Sequence, residues 1–294
     1  MNGTLYIVAT PIGNLKDISQ RAIEILGVCG LICCEDTRRS GMLLKNLGIT
    51  PKALLPLHKM NEASQSEKII KAMLSGTNVA LISDAGTPLI SDPGEKLVIS
   101  AIDAGIDIQA IPGASAILAA LVVSGFNLER WSFEGFFYRK GPDRIAQMRK
   151  LKFATGVSLF FESPKRVEQT LIDLSSYLEP ERKVVIAREL TKVYEETWRG
   201  CLGEAKAYLA GKAGIKGEFV LIVDKCQSEN ARGDDKQQAF YMLHKLFTSG
   251  YSRQDAMHAV SILTDVKHRD LYELCLEIWK GIEFGNSDEK SSFR

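Results

Sequence analysis

A chain of 294 residues, 45% apolar and 25% charged, has the composition of an ordinary globular protein long enough for two domains and an appendage. With 37 basic against 36 acidic side chains, its net charge of +1 excludes a chain-wide attraction to nucleic acid or membrane, so such a partner must be met by a local patch. No apolar run approaches the ~20 residues of a membrane span, and the N-terminal MNGTLYIVATPIG enters a strand pattern without the charged start of a secretory signal.

A cytoplasmic protein is expected. Its six cysteines, Cys29, Cys33, Cys34, Cys201, Cys226 and Cys275, lack paired spacing. Cys33 and Cys34 lie in the apolar run LICC with no histidine close in sequence, so buried reduced thiols are expected and no metal.

The first third alternates short apolar runs with helical patterns. LYIVAT is a strand, followed by the loop PIGNL and a helix from Ile18 to Leu26. LICC is the second strand, before a helix from Arg38 to Leu47 that Gly48 ends. ALLPL is the third, followed by a helix over SQSEKIIKAML in which Ser64 and Glu67 make a capping box and Gly76 a C-terminal stop. VALIS is the fourth strand, the helix EKLVISAIDAG follows, and IDIQAI is the fifth. This alternation predicts a parallel, doubly wound sheet over residues 1–113.

After IPG comes a small-residue helix, ASAILAALVVSG, and then a different rhythm. Strand WSFEGFF leads to a basic helix over 142–152, strand VSLFF to a helix over 164–178, and strands KVVIA and VYEETWRG follow each other directly. A helix over 203–210 and strand EFVLIV complete a second α/β domain, 114–225, whose adjacent strands imply a mixed sheet. The polar stretch CQSENARGDDKQQ predicts a linker over 226–236. A small helical appendage and tail over 237–294 should hold helices at 237–248, 253–263 and 268–280, the middle one facing inward through Ala256, Ala259, Val260 and Leu263.

The chemistry sits at the strand ends. Open α/β sheets bind ligands at the carboxyl edge, and here that edge carries TPIGNL, EDTRRSG, SDAGTPLISDPG and PGASAI. Neither GxGxxG nor GxxxxGK[ST] is present, so dinucleotide and triphosphate sites of those kinds are unsupported. Asp92, before Pro93 and the next helix, reads as a helix cap.

The ordered set VATPIGNL, CEDTRRSG, ISDAGTPLISDPG, IPGASAI, FFESPKRV, ARELTK and KGEFVLIV resembles the tetrapyrrole methylase superfamily over residues 4–225. More narrowly it is similar to the branch that 2′-O-methylates a cytidine ribose in the decoding region of bacterial 16S rRNA. The resemblance implies S-adenosylmethionine as methyl donor, held in a cleft between two α/β domains of a homodimer, with 16S rRNA in the small ribosomal subunit as partner. By similarity, Pro11, Asp84, Thr87, Ser115, Ala116, Phe161, Ala187, and Glu218 or its neighbour Gly217 would line the donor pocket. Asp84, at a strand end, suits accepting hydrogen bonds from the donor.

Methyl transfer to a ribose hydroxyl asks for alignment and for a group to take the proton. The candidates are Glu35, Asp36 and Arg38, then Glu162 and Arg166, then Arg188, Glu189 and Lys192. Glu35 or Asp36 is placed near the acceptor hydroxyl, and Arg166 or Lys192 on phosphate. An RNA footprint is expected at Arg139, Lys140, Arg144, Arg149, Lys150 and Lys152, beside Phe136, Phe137 and Tyr138, and at Arg38. Lys245, Arg253, Lys267, His268 and Arg269 add basic character to the appendage. Two other readings stay open: a methyltransferase of a tetrapyrrole precursor, and a non-catalytic RNA-binding protein associated with the ribosome.

Overall fold

The computed structural model describes residues 2–152, 154–211, 216–226, 231–264 and 266–288. Residues 1–225 and 226–294 form separate units.

In the first unit, β1 (Leu5–Val8), β2 (Leu31–Cys34), β3 (Leu54–Pro56), β4 (Val79–Leu81) and β5 (Ile108–Ile111) form a sheet in the order β3-β2-β4-β1-β5. Every pairing in it is parallel. The crossovers are α1 (Gln20–Val28), α2 (Thr37–Asn46), α3 (Glu62–Leu74) and α4 (Glu95–Asp103). Helices on both faces explain why strands such as LICC and VAL are apolar without alternation. Cys33 packs on one face with Leu5, Leu57 and Leu97, and Cys34 on the other with Val8, Leu26 and Leu44. All six thiols are free. Burial pushes Cys33 up to about 12 and Cys29 to about 11, which keeps both protonated and inert.

Two caps differ from expectation. Helix α3 starts at Glu62, so Ser64 sits in its first turn, where its hydroxyl donates to the Asn61 carbonyl. Asp92 does not cap α4. The N-cap is Gly94, and the buried Glu62 carboxylate reaches across from α3 to accept from Gly94 N at 3.0 Å and Lys96 N at 2.7 Å. A charged acceptor on those free N–H groups does what an Asp cap would do, and the helix dipole favours it. Gly94 is required there, with φ +129° and a Cβ position 2.6 Å from Leu81 Cδ2.

The chain then passes through α5 (Ala116–Val122) into a second sheet. Its elements are β6 (Trp131–Phe136), α6 (Pro142–Lys152), β7 (Val157–Glu162), α7 (Val167–Tyr177), β8 (Lys183–Arg188), β9 (Glu196–Cys201), α8 (Leu202–Ala210) and β10 (Phe219–Val223). The order is β6-β7-β10-β8-β9. The β6–β7 pair is parallel and the other pairs are antiparallel, as a mixed sheet requires. Strand β9 starts at Glu196 rather than at Val193, because Val193 and Tyr194 belong to an exposed turn. The period of two divides β10 cleanly. Phe219, Leu221 and Val223 join a core with Phe160, Leu171 and Ile186. Val220 and Ile222 face the opposite layer, with Ile12, Ile117, Leu121, Val185 and Ala187.

The second unit holds α9 (Ala231–Thr248), α10 (Arg253–Leu263) and α11 (His268–Asp288) around Leu243, Ala256, Val260, Leu271 and Cys275. Helix α9 takes in residues expected to be linker, and α11 runs past 280 into the expected tail. In α10 the inward face is Ala256, Met257 and Val260, so Leu263 is 66% exposed.

Because Glu62 satisfies two N–H groups at the start of α4, Glu62→Ala should cost about 1–2 kcal/mol of stability. Urea unfolding of the full chain checks this; an unchanged midpoint would show that the cap contributes nothing.

Candidate active site between the two sheets

The carboxyl-edge loops of the parallel sheet are tied to one another. Thr10 N donates to Gly86 O at 2.9 Å and Gly86 N returns a bond to Thr10 O at 3.0 Å, joining the loops after β1 and β4. Thr87 Oγ1 donates to Ala114 O at 3.2 Å, joining the loop after β4 to the start of α5, which Ser115 caps. Asp84 receives Asp36 N at 3.3 Å and pairs with Arg39 at 3.0 Å, which fixes the loop after β2.

Against this edge lie Phe161, Ala187 and Val220 of the second sheet, leaving a two-lobed cavity. One lobe, about 230 Å³, is lined by Ile12, Ala85, Ala116, Phe161, Ala187 and Glu218, among others. The second, about 160 Å³, shares Ile12, Ala85, Ala116, Phe136 and Phe161 and adds Gly86, Thr87, Ser115 and Asp92. Alanines at 85, 116 and 187 keep the space open. The Phe161 ring meets Phe133 and Phe136 edge-on, at 4.8 and 5.6 Å. Gly86 has φ +80°, and a Cβ there would stand 3.2 Å from Ile12 Cγ2.

Backbone strain is concentrated here. Leu89 and Ser91, in the loop after β4, and Glu189 and Thr191, in the loop after β8, all have positive φ between 50° and 71°. Non-glycine residues in that region cost of order 1–3 kcal/mol each and persist only where surroundings impose them. The Glu189 carboxylate supplies part of that constraint, accepting from Lys192 Nζ and from Glu218 N, each at 2.9 Å.

Of the expected pocket residues, Thr87, Ser115, Ala116, Phe161, Ala187 and Glu218 line the cavity. Pro11 does not; its neighbour Ile12 does. Asp84 does not line it either, because its carboxylate is turned to Arg39 and the Asp36 amide.

The expected catalytic ions are largely committed elsewhere. Asp36 caps α2 and pairs with Arg38 at 3.0 Å, and these bonds hold its carboxyl down at about 2, too acidic to take a proton readily. Arg166 pairs with the fully buried Glu162 at 2.6 Å and donates to Phe137 O. Lys192 is shared between Glu189 and Glu218, each at 2.9 Å. Arg188 donates to Lys216 O at 2.8 Å. Glu35 is exposed.

The expected RNA footprint divides in the same way. Arg139, Lys140 and Tyr138 are exposed, and Arg38 is 90% exposed at the opposite loop. Arg144 is structural: only 11% of its side chain is exposed, and it bonds Asp173 at 2.7 Å and Tyr138 O at 2.6 Å. Phe137 is buried and stacked on Phe160 at 4.0 Å. Lys150 is exposed but paired with Glu134 at 2.8 Å. The side chain of Arg149 lies outside the described residues.

Residues 4–206 match the family model of the Tetrapyrrole (Corrin/Porphyrin) Methylases. The chain belongs to the tetrapyrrole methylase family. Among its relatives, the protein named ribosomal RNA small subunit methyltransferase I of Synechocystis sp. is 39% identical over 94% of this chain and 98% of its own. The protein of the same name from Halalkalibacterium halodurans is 40% identical over 92% and 94%. That from Xylella fastidiosa is 43% identical over 83% and 89%. The solved structure of diphthine synthase shares the fold, with a TM-score of 0.59 at 16% identity, covering 76% of this chain and 90% of that one. So does cobalt precorrin-4 methyltransferase, with a TM-score of 0.57 at 16% identity, covering 75% and 94%.

In this tetrapyrrole methylase the residues that sequence reasoning missed are mostly apolar: Ile12, Leu190 and Val220 look like any core residue until the second sheet is placed, and Phe136, expected beside an RNA footprint, lines the cavity instead. Asp92 is the polar one. Burial, with Glu35 and Asp84 nearby, pushes its carboxyl up to about 6, opposed by Ser83 and Lys59. Since its proton affinity is higher folded than unfolded, Asp92 weakens the fold progressively as pH rises from about 4 to about 6. Asp92→Asn should therefore stabilise the protein at pH ~7, by about 1–2 kcal/mol after discounting for partial solvation, and leave it unchanged near pH ~4. Thermal melts at both pH values decide; equal effects at the two would contradict the burial argument.

Proposed function

We propose that this chain uses S-adenosylmethionine to methylate small-subunit rRNA, the acceptor being the 2′-hydroxyl of a cytidine ribose in the decoding region of 16S rRNA. The observation that carries the reading is the near full-length similarity to proteins named ribosomal RNA small subunit methyltransferase I. The cavity suits the donor. Its apolar walls, Ala116, Phe161, Ala187 and Val220, match an adenosyl group, and Thr87 and Ser115 offer polar groups for the ribose and amino-acid ends. Gly86 supports the fit, since its φ of +80° suits glycine and a Cβ there would crowd Ile12 Cγ2 at 3.2 Å.

When bound, the donor supplies an electrophilic methyl on a sulfonium. The chain's own part is to hold the acceptor oxygen in line with that methyl, exclude water through Phe136 and Phe161, and accept the hydroxyl proton. Arg139, Lys140 and Arg38 meet phosphates at the mouth, and exposed Tyr138 offers a face for an unpaired base. The chain acts as a homodimer in the cytoplasm, with Leu118 and Val122, 54% and 73% exposed on α5, as candidate contacts. Sedimentation at micromolar concentration tests this; a monomer would remove the dimer from the account.

Incubation with labelled donor should mark 30S subunits that lack the modification, with the label on a ribose 2′-oxygen. Label in a tetrapyrrole and none in RNA would overturn the reading. Ala116→Trp, which fills the point shared by both lobes, should weaken donor binding at least about tenfold by calorimetry. An unchanged affinity would move the donor elsewhere.

A further inference from the structure

The proposed reaction needs a group to take the hydroxyl proton, and the carboxylates around the cleft are unequal in their freedom to do so. Asp36 and Asp84 are engaged by Arg38 and Arg39, and Glu162 by Arg166, Thr170 and the Ser163 amide. Glu189 and Glu218 share Lys192. Asp92 forms none of the ion pairs found among the described residues, and it lines the second lobe of the cavity beside Thr87, Ser115 and Phe136. Its backbone is set by left-handed Leu89 and Ser91 on one side and by Gly94, held by Glu62, on the other. A half-buried carboxylate on a rigid loop, facing the cavity, is built to meet something inside it.

We propose that Asp92 is the catalytic base of the methyl transfer. The inference rests on the reading of this cavity as the methyl-transfer site. The Asp92 carboxylate takes the proton of the 2′-hydroxyl as the oxygen–methyl bond forms. The methyl–sulfur bond breaks, its electron pair stays on sulfur, and S-adenosylhomocysteine leaves neutral at that atom. Charge and atoms balance without another reactant. The groups facing Asp92 are Glu35 from the loop after β2, Lys59 from the loop after β3, and Ser83 and Asp84 from its own loop. Together with burial they leave its carboxyl at about 6, so at neutral pH it is ionised yet more basic than an ordinary aspartate. Glu35 is exposed and is not among the residues that line either lobe of the cavity.

The test compares the full-length protein with Asp92→Asn and Asp92→Glu. Three quantities are read: single-turnover transfer to 30S subunits at saturating donor across pH, calorimetric binding of S-adenosylhomocysteine, and ¹³C titration of the Asp92 carboxyl. The wild-type rate should rise through pH about 6 together with the carboxyl titration. Asp92→Asn should bind S-adenosylhomocysteine within about threefold of wild type, lose about 10²–10³-fold in rate and lose the pH limb, and Asp92→Glu should recover part of both. The assignment is overturned if Asp92→Asn keeps the rate and its pH limb. It is equally overturned if that variant loses donor affinity while its saturated rate survives, or if the carboxyl titrates near its ordinary value. Failure of the wild-type protein itself to label subunits overturns the proposed function and the base with it, and it is seen in the wild-type reaction before any variant is compared.

Discussion

Ile12, Ile117 and Leu121 pack into one apolar layer with Leu159, Val185, Ala187, Val220 and Ile222, and this seam holds the two sheets of the first unit together. Each large aliphatic side chain buried there contributes about 1.5–3 kcal/mol. The seam fixes more than stability. Ile12 comes from the loop after β1 and the others from α5 and the second sheet, so one apolar contact brings the carboxyl edge of the parallel sheet against β7, β8 and β10. A fully packed interface would leave no room for a ligand. Alanine at 85, 116 and 187 leaves the gap, and those walls forgo dispersion contacts that a bound molecule can restore.

The loops facing the gap are held rigidly by hydrogen bonds between segments far apart in sequence. Thr10 and Gly86 exchange two backbone bonds, Thr87 reaches Ala114, and Glu62 secures the end of the loop after β4 at Gly94. That bracing explains how Leu89, Ser91, Glu189 and Thr191 stay in a backbone region unfavourable to side chains. On the far side, Glu189 with Lys192 and Glu218 plays the same part, and Gly217 leaves it space: a Cβ there would fall 2.6 Å from Glu189 Cγ.

What could be read in advance follows from the range of the forces involved. The apolar runs LICC and VALIS announced buried parallel strands, and adjacent KVVIA and VYEETWRG announced a mixed sheet, because burial and periodicity are local. Strand order was not legible, since nothing local places β4 between β1 and β2. Asp92 looked like a cap because it precedes Pro93 and a helix, yet the cap came from Glu62, about thirty residues upstream in another helix. Arg144 looked like a free cation because its partner, Asp173, lies 29 residues on and is identified only by folding. Family likeness pointed to Thr87, Ala116 and Ala187, positions that chemistry alone would have passed over. The partly exposed Phe136 was visible as an aromatic, but its place at the cavity depended on the seam.

The same division separates the chemistry from its setting. Salt bridges around the cleft occupy most of its ions in holding loops, and Thr87, Ser91, Ser115 and Asp92 are among the polar groups lining the second lobe. Exposed Arg139, Lys140 and Arg38 are not among the residues lining it. The most direct measurement of the central claim is amide hydrogen exchange with and without S-adenosylhomocysteine. Exchange should slow in the segments 84–92, 114–117 and 187–190, which border the cavity from both sheets. Protection that falls elsewhere, with these segments unchanged, would contradict the placement of the donor at the seam.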